Sequence, residues 1–550
     1  MSGSVPEGAT KSRYSESERR LLERYVSVVE PREHADVFLI QNLPPEVAAT
    51  LNGVYSRSSK SLRDNLLDRL KKGLESVGRD FEELVADLPE QESEPLEQVI
   101  SDKAGQFLKT YAIDHGHNSL REGSVVHLAV ENVSQLVTRY IQRERRCSFE
   151  ESSTRYISFE REGHWRDPDV VAHGGEVLEA YDKAIEESFA LYQELSRELL
   201  EHLKRERPLS EGERENAWIR ALRAEAFDAA RYLLTPAINT KWGLVIDART
   251  LSDVIRELRS HPLKEFQQVG DRLSEEASSV LPTLLAHGVR NEFLAAQHVD
   301  VRAVSQSVLA QTDPTERQPE TRLLDYDKSL DQKLLASMLY EHSDRSFSEL
   351  QAEVERLDEK GQLELFEKLL GGRGKHDDLP IGLEGAQPFC FETLVDFGAY
   401  RDIGRHRKGL QQQQLLTTRH GFVVPPLVDQ AGFGDRFRAV MRRCAEHQQA
   451  VADKFPHAAG YVTPFGFLQR IRLIFDPRQV GYFVELRSKP DGHFAYREVA
   501  QDMYRLLREV APLYAQFIQA FLGDAFVGRM VSEQTADDKR RERMRRAGDL

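Results

Sequence analysis

The chain has 550 residues, 40% of them hydrophobic, so it is long enough for at least two packed domains and too apolar for a disordered chain. Its 75 basic and 90 acidic residues give a formal net charge of -15, which argues against a general nucleic-acid-binding protein. Small anionic ligands remain possible, because a local cluster of arginines is enough to bind them.

Cysteine content and hydropathy further limit the class of protein to which the chain could belong. The three cysteines include no CxxC pair, so neither a disulfide framework nor a zinc site is expected. No apolar run reaches the roughly 18 residues that a membrane span requires, and residues 1–12 lack the apolar centre of a secretory signal. We therefore expect a cytoplasmic protein that binds no metal.

Amphipathic helices dominate the predicted elements, because apolar residues recur at three- and four-residue spacing between dense charges. Short strands are predicted where β-branched and aromatic residues cluster. The balance indicates a helix-rich α+β fold. In chain order, the predicted helices include Arg19–Ser27, Lys60–Val77, Gly175–Arg205 and Leu263–His287, and the predicted strands are Arg155–Phe159, Arg472–Phe475 and Tyr482–Leu486.

The sequence contains an internal repeat. Glu122 precedes Arg143 by 21 residues, and Glu384 precedes Arg405 by the same distance. In both halves an apolar-patterned segment ends in a basic cluster, and an Asp-x-Arg triplet later opens a stretch that ends in Leu-Arg-Ser. Because these features keep the same order, we predict two tandem copies of one fold.

A polar stretch with two prolines, Thr312–Thr321, is the candidate linker between the copies. The tail from Asp537 to Leu550 is rich in basic residues among a few acidic ones, which predicts a solvated, frayed helix end. The predicted layout is an N-terminal extension at 1–35, a first repeat at 36–300, a linker at 301–322, a second repeat at 323–535 and a charged tail at 536–550.

The segment RERRCSFEESSTRY, which begins at Arg143, carries the sharpest chemical pattern. Arg139 and Arg143 are one helical turn apart and would share a face. Glu151, Ser153 and Arg155 alternate, which would place all three on one side of a strand. Such a surface suits a phosphorylated ligand such as a nucleotide, and a purely structural cluster of ion pairs is an equal alternative. The helix before it is predicted to have an apolar stripe of Val133, Val137 and Ile141.

This segment resembles the signature of the flavin-dependent thymidylate synthases, R-H-R-x-x-S-x-N-E-x-S-x-R-Y. Glu144 and Glu150 depart from it, where His and Asn are expected. Upstream, His117, Ser119 and Glu122 resemble the family's H-x-S/T-x-x-E element. The matching positions of the signature are Arg143, Arg145, Ser148, Glu151, Ser153, Arg155 and Tyr156. Downstream, Arg231 resembles the family's nucleotide-binding arginine, and Asp247-Ala248-Arg249 resembles its flavin element. Arg259 lies one residue beyond the position expected for the family's final arginine.

The second half resembles the family less completely. Arg405-His406-Arg407 is an intact R-H-R, Asp476-Pro477-Arg478 resembles the flavin element, and Arg487 has the expected spacing from it. The rest of the signature is lost, because Leu410, Gln413, Leu415, Thr417 and Thr418 replace its polar residues. The two halves therefore have complementary losses.

The resemblance implies that dUMP is methylated to dTMP, with methylenetetrahydrofolate as carbon donor and FAD, reduced by NADPH, as hydride source. It assigns catalytic roles to Arg487, Arg259 and Ser153. It assigns dUMP binding to Tyr140, Arg143, Glu151, Ser153, Arg155, Arg231, Arg405 and Arg487. It assigns FAD binding to His117, Ser119, Arg143, Arg145, Glu151, Asp247, Arg249, Asp253, Arg405, His406, Arg407, Asp476 and Arg478.

In this family the active sites form between the subunits of a homotetramer. The complementary losses therefore suggest a composite site, with Glu151, Ser153, Arg155 and Arg231 from the first repeat and residues 405–407 and 487 from the second. A homodimer would then imitate the four-subunit assembly, with no nucleic-acid or membrane partner. Two alternatives stay open: a flavoenzyme acting on another nucleotide, and a non-catalytic flavin- or nucleotide-binding homologue.

Overall fold

The computed structural model describes most of the chain in ten stretches. The candidate linker stretch Thr312–Thr321 lies outside them, apart from Thr321, and so does most of the predicted strand Arg155–Phe159. Of the predicted linker at 301–322, the first nine residues are helical and the last two belong to a strand. The described residues are 13–32, 35–55, 58–76, 101, 104–154, 159, 163–211, 214–309, 321–523 and 528–547.

Helices dominate the described residues, which confirms the helix-rich α+β class. A helix is present at each of the four predicted positions, and the third matches within a residue. The fourth ends at Ser278, so residues 279–287 are not helical as predicted. The α-helices are α1 Glu16–Tyr25, α2 Pro45–Tyr55, α3 Leu62–Ser76, α4 Asn118–Glu122, α5 Gln135–Ile141, α6 Pro168–His173, α7 Gly175–Glu206, α8 Glu215–Ala230, α9 Ala248–Ser260, α10 Lys264–Ser278, α11 Glu292–Leu309, α12 Leu330–Tyr340, α13 Phe347–Glu355, α14 Glu359–Leu370, α15 Phe397–Ile403, α16 Pro426–Gln430, α17 Gly434–Ala452, α18 Pro477–Arg487, α19 Phe494–Val510 and α20 Gly528–Ala547.

Two small sheets accompany the helices. The first has three strands in the order β1-β3-β2, and the second has four in the order β4-β5-β7-β6. All pairs of the second sheet are antiparallel. The strands are β1 Val125–Ser134, β2 Cys147–Glu151, β3 Asn239–Asp247, β4 Thr321–Asp325, β5 Phe389–Asp396, β6 Leu410–Gln413 and β7 Leu468–Phe475.

The chain divides into two compact units that do not follow the order of the sequence. The first consists of Met1–Ala129, Arg146–Glu150 and Gly243–Ser307. One of its hydrophobic cores is built on α1, α2 and α3, where a capping box between Ser15 and Glu18 starts α1. The second unit consists of Val130–Arg145, Glu151–Trp242 and Val308–Leu550.

One hydrophobic core in the second unit combines segments from before and after the predicted linker. It includes Leu195 and Leu199 of α7 together with Phe397 of α15 and Phe437 of α17. The long helices α7 and α17 pack against each other. Because burial of apolar surface is the main favourable term in folding, this unit depends on both halves of the sequence.

Several local predictions are wrong. Tyr482–Leu486 is helical rather than extended, because Asp476 caps the N-terminus of α18 and Pro477 occupies its first turn. Val133 belongs to β1, not to the helix that follows. Ser153 lies beyond the last residue of β2, so it does not share a strand with Glu151.

The predicted frayed tail is also helical as far as Ala547. Its helix, α20, packs along α8 within the second unit. Arg214 donates to Asp537 at 2.8 Å and Arg220 donates to Glu533 at 3.2 Å. These ion pairs hold the first half of α20, while its basic last turns are exposed.

Candidate functional site

Each repeat builds the same strand, cap and short helix. Ser134 ends β1 and accepts hydrogen bonds from the N–H groups of Leu136 and Val137, both at 3.2 Å, which starts α5. Asp396 ends β5 and caps α15 in the same way, accepting from the N–H of Ala399 at 2.7 Å. These caps place equivalent arginines, 262 residues apart, inside the second unit: Arg139 on α5 and Arg401 on α15.

The two equivalent arginines meet on one carboxylate. Arg401 donates to Oε1 of Glu151 at 2.8 Å, and Arg139 donates to Oε2 at 3.3 Å. Gln142 adds a third bond at 3.1 Å, and Arg401 also donates to the hydroxyl of Thr154 at 2.8 Å. The side chains of Glu151, Arg139 and Arg401 are only 2%, 4% and 6% exposed. We call these five residues the Glu151 cluster.

The charges of the Glu151 cluster are mutually compensated. Burial alone would raise the pKa of Glu151, but the charges of Arg401 and Arg139 outweigh burial and the pKa is lowered. Burial lowers the pKa of Arg139 to about 10, although Glu151 opposes the shift. All three groups therefore stay ionised at neutral pH, and the cluster carries one net positive charge.

Arg231 lies in the same unit and is 1% exposed. Its guanidinium is 3.5 Å from Oδ2 of Asp402 and 3.9 Å from Oδ1 of Asp228. Within the described part of the chain, its Nε and Nη2 atoms have no hydrogen-bond acceptor. Arg231 is therefore a buried cation flanked by a carboxylate from each repeat, with donor groups still available.

Arg487 is the second repeat's counterpart of the final arginine of the family pattern. It lies in the same unit as Arg231 and, like Arg231, contacts Asp402. Its Nη2 donates to the backbone carbonyl of Asp402 at 2.9 Å, and its Nε donates to Nε2 of His406 at 2.7 Å. The guanidinium also lies over the ring of Tyr496, 5.2 Å from its centre. His406 must be neutral to accept this bond, and burial, reinforced by the charge of Arg487, lowers its pKa to about 3.

The two basic triplets of the repeats contact each other. Arg407 of the second triplet donates to the carbonyl of Glu144, the central residue of the first, at 2.9 Å. Arg143, Arg145 and Arg405 are exposed beside this contact. Arg143 stacks over the ring of Tyr140 at 3.7 Å. The result is an arginine-rich surface to which both repeats contribute.

The predicted flavin elements form the same ion pair in each repeat. Glu122 pairs with Arg249 in the first unit, and Glu384 pairs with Arg478 in the second, at 2.6 Å. The aspartates of both Asp-x-Arg triplets act as helix caps: Asp247 accepts from the N–H of Thr250 at 2.9 Å, and Asp476 caps α18. The repeat inferred from spacing is therefore also a structural repeat.

The remaining residues predicted to take part in binding or catalysis are not members of the Glu151 cluster. In the first unit, His117 and Ser119 are exposed at the start of α4, and Asp253 lies 3.5 Å from Arg146. Arg259 pairs with Asp271 at 2.7 Å. Ser153 is half-buried beyond β2, and Arg155 lies outside the described residues.

The second unit thus brings together predicted residues from both repeats. Sequence reasoning missed Arg401, Asp402, Gln142 and Asp228, which complete the buried clusters. Arg401 could have been found, because it is the counterpart of Arg139 at the same separation as Arg405 from Arg143. Across the described residues, no group of three or more His, Cys, Asp or Glu side chains is arranged to hold a metal ion.

The comparison with protein families identifies the class. A sequence model of the family described as "Thymidylate synthase complementing protein" matches the chain twice, at residues 78–283 and 322–513. These matches cover well over half of the chain. The chain therefore belongs to this family and consists of two tandem family domains, as the sequence predicted.

Individual relatives match along nearly their whole length. The chain is 27% identical over 521 residues to a UPF0159 protein of Chlamydia muridarum, covering 92% of this chain and 95% of that protein. A UPF0159 protein of Chlamydia pneumoniae is 27% identical over 514 residues, with 91% and 94% covered. One of Thermoplasma acidophilum is 23% identical over 464 residues, with 78% and 92% covered. The similarity therefore extends beyond a single repeat in each case.

Proposed function

We propose that this protein is a flavin-dependent thymidylate synthase that methylates dUMP to dTMP, with methylenetetrahydrofolate as carbon donor and NADPH-reduced FAD as hydride source. The observation that carries the proposal is the convergence, within one unit, of arginines from both repeats around Glu151, Asp402 and the contact between the two basic triplets. These contacts between the two repeats support a composite site.

Some side chains of the proposed composite site stabilise the fold, and others would contact the ligand. Glu151 accepts bonds from Gln142, Arg139 and Arg401, so it orders the two short helices rather than offering a free carboxylate. Arg231 retains unused donors in a buried position. A guanidinium in a dry site binds an anionic group strongly and stays charged, which suits a nucleotide phosphate or an ionised uracil ring.

Arg487 is the proposed catalytic group of the second repeat. Its two described bonds, to His406 and to the carbonyl of Asp402, fix the guanidinium plane without neutralising its charge. A fixed, uncompensated positive charge near the base would favour the anion formed at N3 of uracil. His406 would thus act as a positioning residue, because it contacts Arg487 rather than substrate.

The arginine-rich surface also suits a dinucleotide cofactor. Arg143, Arg145 and Arg405 are exposed around the Arg407–Glu144 contact. Guanidinium groups bind diphosphates through paired hydrogen bonds, so these residues would hold the FAD diphosphate. When bound, the flavin would supply the hydride that completes the methyl group, while the protein orients and polarises the substrates.

A flavoenzyme acting on a different nucleotide is the second candidate. Arg143 lies 3.7 Å over the ring of Tyr140, at a position where the family usually has Gln, and Asp402 occupies the equivalent position of the second repeat. An aromatic ring and a carboxylate in place of amides would change which edge of the nucleotide base the site recognises. For either substrate we propose a cytoplasmic homodimer.

The deciding experiment is a dTMP assay on purified protein with dUMP, methylenetetrahydrofolate and NADPH, with the flavin spectrum recorded on the same sample. We expect bound FAD and turnover, and we expect Arg487→Ala to weaken dUMP binding by about tenfold or more, since a charged hydrogen bond is lost. Arg442→Ala, an exposed arginine on α17, is the matched control.

Three results would change the conclusion. Normal dUMP binding by Arg487→Ala would exclude the composite site. Bound FAD without folate-dependent turnover, together with tighter binding of another nucleotide, would favour the second candidate. Absence of both flavin and turnover would leave a non-catalytic homologue.

A further inference from the structure

The second unit contains a cavity of about 630 Å³ that none of the predicted nucleotide or flavin residues lines. It lies between α8, the proline-rich start of α16 and the beginning of α19. Its volume falls within the range of small-molecule sites in proteins, which is about 300–1,000 Å³. The cavity shares Asp228 with the surroundings of Arg231, but it contains none of the residues predicted to bind nucleotide or flavin, so its occupant requires a separate explanation.

Two half-buried aromatic rings, Trp218 and Phe494, contribute to the wall. The indole N–H of Trp218 donates to the carbonyl of Arg207 at 2.9 Å, so this polar atom is satisfied by the protein. Phe494 stacks on His493 with the ring centres 4.4 Å apart, so the ring of Trp218 is the aromatic surface offered to a ligand. Prolines, which have no N–H to donate, supply more of the wall. They are Pro208, Pro425, Pro426 and Pro490.

The two arginines at the cavity are engaged with the protein. Arg207 makes a two-pronged ion pair with Glu225, at 2.7 and 2.6 Å. Arg497 donates to the carbonyls of Ser488 and Gly523, at 3.3 and 2.8 Å. An anionic ligand would therefore have to displace existing bonds to reach a positive group here.

Carboxylates outnumber the arginines around the cavity. Beyond the Arg207–Glu225 pair, the wall includes Glu206, Asp228 and Asp491. Asp228 is 7% exposed and shares its charge with Arg231 at 3.9 Å, whereas Glu206 and Asp491 are exposed at the rim. Asp491 accepts the hydroxyl of Ser532 at 3.4 Å. The lining residues therefore include four carboxylates and two arginines.

We propose that this cavity binds an organic cation: a protonated or quaternary amine carried on an apolar or aromatic body. Aromatic faces attract cations through the ring quadrupole, and the attraction grows when water is excluded. The carboxylates at the rim add a favourable Coulomb interaction and disfavour nucleotides and other phosphates. The occupant therefore belongs to a different chemical class from the nucleotide and flavin of the composite site.

The test is a titration of the full-length protein with benzyltrimethylammonium, followed by calorimetry and by tryptophan fluorescence. Benzyl alcohol is the neutral comparison and benzenesulfonate is the anionic one. We expect saturable binding of the cation, at least about fivefold weaker binding of the neutral compound, and none of the anion. Trp218→Ala should weaken cation binding by about fivefold or more.

A second variant tests the proposal even if Trp218→Ala does not fold. Glu206→Gln combined with Asp491→Asn changes only exposed rim groups and should weaken cation binding by about threefold, more at low salt than at high salt. Glu198→Gln, an exposed glutamate of α7 outside the cavity, is the matched control. Binding of benzenesulfonate as tight as that of the cation would overturn the proposal. So would the absence of cation binding at about 10 mM, or equal affinity in the rim variant and the control.

Discussion

At the scale of single residues, Glu151 connects the two repeats through one buried carboxylate. Its carboxylate receives Arg139 and Gln142 from the first repeat and Arg401 from the second, all in a nearly water-free setting. Replacing one member of such a network leaves the opposite charges buried without compensation, which is more costly than losing a surface pair.

We therefore expect Glu151→Gln to lower the free energy of unfolding by ~3 kcal/mol, because Arg139 and Arg401 would keep their charges without a buried counterion. Urea unfolding followed by circular dichroism measures the loss. Glu150→Gln, the exposed neighbour, should change stability by less than about 0.5 kcal/mol. Equal, small effects in the two variants would show that the cluster does not contribute to stability.

His406 makes stability depend on pH in a defined direction. Its pKa is about 3 in the folded protein, below the ordinary value of 6.5, so the unfolded chain takes up the proton first on acidification. The stability that neutral His406 contributes is complete above pH 6.5 and is lost as pH falls from there toward 3. Asp396 acts oppositely, since burial raises its pKa to about 6.

The contribution of His406 is isolated by comparison with His406→Gln, in which an amide oxygen still accepts from Arg487 but does not titrate. Between pH 7.5 and pH 5 we expect the wild type to lose about 2 kcal/mol relative to the variant, at 1.36 kcal/mol per pH unit below 6.5. Other titrating groups cancel in the difference. Parallel stability curves across this range would refute the assignment.

At the scale of elements, the sequence predicted long helices better than short ones. Gly175–Arg205 was recognised because apolar residues repeat over many turns, and it matches α7 within a residue. Tyr482–Leu486 was misread, because a five-residue apolar run is compatible with either a strand or a buried helix. The Asp476-Pro477 start signal decides for helix, and α18 places Arg487 in its last turn.

The candidate site was predictable only in part for a related reason. Glu151, Arg231 and Arg487 could be inferred because they match a signature. Arg401 and Asp402 precede the basic triplet of the second repeat and belong to no signature motif there, and they meet Glu151 and Arg231 across separations of 250 and 171 residues. Such pairing depends on tertiary packing, which local periodicity does not encode.

At the scale of the whole molecule, the two compact units do not coincide with the two repeats. The second unit takes α5, α7 and α8 from the first repeat together with every described element from β4 onward. Its core includes Leu195 and Leu234 on one side of residues 310–320, and Phe397 and Phe465 on the other. The second unit therefore draws its core from both repeats, so neither repeat folds this core from its own residues alone.

This organisation predicts the behaviour of the protein as two polypeptides. When residues 1–311 and 312–550 are expressed together, we expect them to co-purify as a stoichiometric complex, because each completes the apolar core of the other. Expressed alone, each should aggregate or expose apolar surface to a hydrophobic dye, since half of a shared core is left open to water. Separate soluble fragments with cooperative unfolding would instead establish two independent domains, and the composite site would then require association between them.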